Sequence, residues 1–179
     1  ADCLPPKWFD KDMTKNYEDN IDDMLAAVSD ARDAYVGMND EDRTPFELFR
    51  EGLAAVLDCA DRQDFNHLTA GFGSSFFERA VIDAVGNSLG LPYHTLVRDN
   101  VLGIEMGEIH PELGDTQPRD VIAEEPLSEM WIRHTVGLSD PILDADITPG
   151  ERLNDELPQS LEEYIARQGL RYFKIKVCG

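Results

Sequence analysis

Leu170-Arg171-Tyr172-Phe173-Lys174-Ile175-Lys176-Val177 is the stretch whose reading decides the fold. Its aromatic and β-branched content predicts a strand. Alternation along that strand places Lys174 and Lys176 on one face and Phe173, Ile175 and Val177 on the other. Upstream, Met130-Trp131-Ile132-Arg133-His134-Thr135-Val136-Gly137 is a second run of the same character. Between them, residues 158 to 168 fit a short helix with Leu161, Tyr164 and Ile165 on one side and Gly169 just past its end. Strand, helix, strand implies a parallel βαβ unit over residues 131 to 179.

Residues 1 to 96 follow a different periodicity. Ile21, Met24, Leu25, Val28, Ala31 and Tyr35 recur at three- and four-residue steps, which predicts an amphipathic helix closed by Gly37. Thr44-Pro45-Phe46-Glu47 supplies a capping threonine, a proline for the first helical position and a glutamate placed to reach back, so a second helix starts there. Ser75-x-x-Glu78 repeats the capping spacing and predicts a third helix ending at Gly90-Leu91-Pro92, with Gly71-Phe72-Gly73-Ser74 as the turn before it. Ala80 and Ala84 are small enough to let a neighbouring element approach that helix. Residues 97 to 130 hold Gly103, Gly107, Pro111, Gly114, Pro118 and Pro126 with little periodicity, and are expected to form a long loop or linker.

Charge narrows the functional classes. The 179 residues carry 36 Asp plus Glu against 16 Lys plus Arg, a formal net charge of −20. Binding to phosphate backbones or to anionic lipid needs clustered cations, so nucleic acid and membrane surfaces are excluded as expected partners. With 42% hydrophobic residues the chain can bury a core, which excludes wholesale disorder. Cys3, Cys59 and Cys178 form no Cys-x-x-Cys pair or dense framework, and no basic-then-apolar leader opens the chain. A reducing, cytoplasmic location is expected. His67, His94, His110 and His134 lack metal-ligand spacing, so no metal site is expected within this segment. The turn at residues 71 to 74 lacks the lysine and the preceding strand of a phosphate cradle, and no Gly-x-Ser-x-Gly elbow occurs.

Lys174 and Lys176 admit two readings. On an exposed edge strand they would be solvated and would discourage edge pairing. On a parallel strand, normally covered on both faces, they would point into an enclosed space. Cations enclosed together need an anion and disfavour each other's charge, the condition under which an amine serves as a general base.

The chain also resembles the enolase superfamily, in particular its mandelate racemase and muconate lactonizing enzyme group, over roughly residues 10 to 179. Three stretches carry the likeness: Phe76 to Pro92, similar to a capping-domain helix with its Gly-Leu-Pro end; His134-Thr135-Val136-Gly137-Leu138-Ser139-Asp140-Pro141, similar to the first barrel strand and its loop; and Lys174-Ile175-Lys176, similar to the Lys-x-Lys of the second strand. The resemblance implies an α/β chain: the helical part of an α+β capping domain, then the start of a (β/α) TIM-type barrel. It implies a Mg²⁺-dependent enzyme that removes the proton α to the carboxylate of a small substrate and stabilises the enolate on the metal. Lys176 would be the acid/base and Lys174 its neighbour, supporting the charge state of the pair and the substrate carboxylate. His134, on the first strand, and Phe72 and Ser74, in a loop bordering the site, are candidate substrate contacts. The family's barrel has eight strands and about 250 residues, and its metal ligands follow the second strand, so the Mg²⁺ ligands are expected beyond residue 179. On this reading the chain is a central piece of a homo-oligomeric racemase or epimerase, sugar-acid dehydratase or cycloisomerase, and is inactive alone. A non-catalytic acidic domain that binds a protein partner and keeps its lysines in water is the alternative.

Overall fold

Asn16, Thr44 and Asn66 each halt an extended segment and start a helix. Asn16 accepts from the Asp19 N–H and its own N–H is accepted by the Asp19 carboxylate, opening α1 (Tyr17–Gly37). Thr44 and Glu47 make the same reciprocal pair at α2 (Pro45–Arg62), with Pro45 where its missing N–H leaves no bond unmade. Asn66 accepts from Leu68 and Thr69 at the head of α3 (His67–Leu89), which ends at left-handed Gly90. The computed structural model describes residues 10–38 and 41–177, and Cys3 and Cys178 of the sequence reading lie outside them.

These three helices pack through small residues. Ala31 of α1, Val56 and Ala60 of α2 and Ala70 of α3 form the buried cluster, flanked by Leu57, Phe65 and Phe77. Tyr35 joins all three helices: its ring stacks on Phe77, it lies where any Cβ on Gly52 would collide, and its hydroxyl shares a 2.8 Å hydrogen bond with Ser74. Burial pushes the Tyr35 phenol above its ordinary range.

The turn expected at residues 71 to 74 is helix interior. α3 begins at His67, and the Ser75 hydroxyl donates to the Phe72 carbonyl one turn back. A capping box and a helix interior share the same three-residue spacing, so Ser75-x-x-Glu78 fitted both. Gly73 belongs there because a Cβ would stand 2.2 Å from the Ala27 carbonyl oxygen, and its absence lets α1 lie against α3. Close approach is therefore made at Gly73 and Ala70, whereas Ala80 and Ala84 are exposed.

The stretch expected to be a loop or linker from residue 97 onward is largely folded onto these helices. It follows α4 (Tyr93–Arg98) and contains α5 (Met106–Ile109) and α6 (Pro118–Val121). Leu102 is buried, and its carbonyl accepts from the Phe46 N–H. Asn100 holds the bend by bonding Ile104 N–H, the Ile104 carbonyl and Gln117. Such side-chain bonds order a segment without any apolar periodicity, which is why the sequence pattern missed it.

Two compact units result, Ala1–Pro126 and Leu127–Gly179. The second contains β1 (Arg133–Val136), a 3₁₀ turn (Asp144–Asp146), α7 (Leu161–Gln168) and β2 (Tyr172–Ile175), the strands pairing in parallel. The chain is mostly helical with a small two-stranded parallel sheet, consistent with an α/β class. Among the described residues no helix is long and apolar enough to cross a membrane.

Candidate functional site

The register of the two strands defines the site. Arg133 stands opposite Tyr172, His134 opposite Phe173, Thr135 opposite Lys174 and Val136 opposite Ile175, and the pairing continues as the Lys176 N–H donates to the Val136 carbonyl. Residues opposite each other in a ladder point to the same face. One face therefore carries Arg133, Thr135, Tyr172, Lys174 and Lys176. The other carries His134, Val136, Phe173 and Ile175.

α7 covers the second of these faces. The His134 ring lies 4.5 Å from the Tyr164 ring of α7, and Val136 is buried. Ser160 caps α7 by accepting from the Glu163 N–H, and the Glu163 carboxylate accepts from the N–H groups of Gln159 and Ser160. Those backbone donors hold the Glu163 carboxyl below its ordinary range. Gly169, at φ 65°, turns the chain out of α7 and into β2. The loop after β1 is tied down by charge: Arg152 binds both Asp144 and Glu163, and the Asp140 carboxylate accepts from the Gly137 N–H at 2.6 Å.

Lys174 and Lys176 thus sit together on the face that α7 leaves bare. Both are exposed, and among the described residues neither ammonium group makes a hydrogen bond or an ion pair. The enclosed space expected around a lysine pair on a parallel strand is not built by the described residues, because one helix covers one face of a two-stranded ribbon and the other face stays open.

The remaining candidates separate from this pair. His134, expected near the lysines, projects from the opposite face and stacks on Tyr164. Ser74 is 1% exposed inside the first unit with its hydroxyl committed to Tyr35, and half-buried Phe72 packs edge-on against Phe76 of the same helix. Both belong to helix packing rather than to a loop. Residues the sequence reading passed over join the lysines instead: Thr135 directly across from Lys174, Arg133 across from Tyr172, and the Trp131 ring 5.1 Å from that of Tyr172. Alternation along each strand is readable in the sequence, but the register that sets Thr135 across from Lys174 comes only from the pairing of the strands.

The Mg²⁺ implied by the resemblance finds no donor set here: among the described residues no three His, Cys, Asp or Glu side chains come together in a way that could hold a metal. No family model, curated protein or solved structure matches the chain.

Proposed function

We propose that the chain supplies capping-type helices and the first βαβ unit of a Mg²⁺-dependent enolase-superfamily enzyme acting on a small carboxylate, as a racemase or epimerase, a sugar-acid dehydratase or a cycloisomerase. The observation that supports this reading is the placement of Lys174 and Lys176 on the helix-free face of a parallel strand–helix–strand unit. In a (β/α) barrel the helices form the outer ring and the helix-free faces turn inward, with chemistry at the C-terminal ends of the strands. Lys176, nearer that end than Lys174, takes the α-proton: its neutral amine accepts the proton, and the C–H bonding electrons spread into the substrate carboxylate. Lys174, two residues earlier, and the Thr135 hydroxyl beside it bind and orient that carboxylate. Mg²⁺, if bound at such a site, would add stabilisation of that negative charge.

The test is proton exchange in deuterated water by the protein containing this chain, screened over 2-hydroxy acids and aldonic acids with Mg²⁺ present. Lys176→Ala is expected to reduce exchange by about 10²- to 10⁴-fold with helical content unchanged. Exchange that survives the substitution, or no exchange with any such acid by the unaltered protein, overturns the reading.

The exposure of both ammonium groups favours one other reading, a non-catalytic acidic domain that binds a protein partner through its helices. The coding sequence past residue 179 separates the two: the enzyme requires acidic residues at the ends of three successive further strands, and a stop codon there favours the binding domain.

A further inference from the structure

A cleft in the first unit, apart from the lysine face, carries chemistry of its own. Two cavities of about 220 and 570 Å³ adjoin along Glu78, Ile82 and Tyr93. The smaller is walled by Phe46 and Phe49 of α2, Val81 of α3, and Leu102 and Ile104 after α4. The larger adds Arg79, Asp83 and Asn87. Together they make an apolar hollow with a polar annex, the usual character of a small-molecule site.

Glu78 is the one carboxylate common to both. It is half-buried, and among the described residues it makes no hydrogen bond or ion pair. The adjacent cation is engaged elsewhere: the Arg79 guanidinium lies over the Phe76 ring at 4.8 Å and its Nε donates to the Ser75 carbonyl. Asp83 is likewise occupied, accepting from the Asn87 amide at 2.9 Å. Burial raises the Glu78 carboxyl above its ordinary range, with Arg79 only partly opposing the rise. A carboxylate drawn out of water without a partner gains most from a charge-assisted hydrogen bond. The net charge of −20 repels anions and concentrates cations near the surface.

We propose that this cleft binds a small apolar ammonium compound, its hydrocarbon part in the smaller cavity and its charged head on the Glu78 carboxylate. The probe is 2-phenylethylammonium, titrated into the ¹⁵N-labelled protein, with 2-phenylethanol as the uncharged counterpart of nearly equal shape. Saturable shifts of the Val81, Ile82 and Leu102 amides are expected with the amine, and at least about tenfold weaker binding of the alcohol. Glu78→Gln is expected to weaken the amine at least about tenfold while leaving the alcohol unchanged. The variant should fold, since folding already favours the uncharged form of this side chain; were it not to, the amine and alcohol compared on the unaltered protein still decide. Equal affinity for the two probes, unchanged amine binding by Glu78→Gln, or no saturable shift at those amides overturns the proposal.

Discussion

The helical unit and the βαβ unit solve the burial problem in opposite ways. In the first, Ala27 and Ala31 of α1 meet Ala70 and Gly73 of α3, and Val56 and Ala60 of α2 close the third side, so three amphipathic helices cover one another. In the second, Val136 and Ile147 are the buried hydrophobic residues among those described, while Ile175 is 66% and Val177 83% exposed. A parallel ladder needs a layer on each face, and α7 supplies one. Polar clamps carry much of the remaining order there: Ser160 with Glu163, Arg152 with Asp144 and Glu163, and Asp140 on the Gly137 N–H. A helix triple can be sufficient to itself, whereas two strands and a helix present a surface that calls for further structure.

The largest expected effect tests the packing of the first unit. Gly73→Val puts methyl groups where even a Cβ meets the Ala27 backbone, and should cost about 3 kcal/mol, read as a lower urea midpoint of the helical signal. Full helical stability in that variant would mean that α1 and α3 do not meet there. A smaller effect tests the polar clamps of the second unit. Ser160→Ala removes a fully buried cap and should cost about 1 kcal/mol. Its signature is local: faster amide exchange across Tyr172–Ile175 with the α1 to α3 amides unchanged. Faster exchange across all helices instead would mean that the two units open as one cooperative body.

The smallest effect concerns pH and acts on both units. Glu47 is held below the ordinary glutamate range by the Thr44 N–H, and Glu163 by the N–H groups of Gln159 and Ser160. Because their folded values are lowered, the stabilisation is complete above the ordinary glutamate range and is lost as pH falls through the folded values. Glu78 has the opposite sign: its raised folded value makes protonation favour the native state, a gain that disappears as pH rises through that value. Glu47→Gln and Glu163→Gln should each flatten the acid limb of a thermal-melting profile against pH, and Glu78→Gln should steepen it. Profiles of unchanged slope in all three would remove these carboxyls from the linkage.

Legibility in the sequence tracked the range of the interaction. Thr44 with Glu47, Pro45, Gly90 and Gly169 are signals contained within a turn or two of helix, and the structure uses each as read. The two strands and their parallel pairing followed from local composition and from the helix between them. Residues 71 to 74 read as a turn because Gly73 makes sense inside a helix only against Ala27, which is 46 positions earlier in the chain. The order after α4 was missed because Asn100 and Leu102 secure it through Gln117 and Phe46.

The candidate site divides in the same manner. That Lys174 and Lys176 share a face was settled by the sequence alone, since alternation is a property of one extended backbone. The register that sets Thr135 beside the lysines and His134 on the opposite face, and the face that α7 covers, were decided only by tertiary structure. So was the burial of Ser74 against Tyr35 and the solitary carboxylate of Glu78. The physical reason is common to all: strand alternation and helix caps are satisfied by neighbours in the chain, whereas burial and charge depend on side chains that only folding brings into contact.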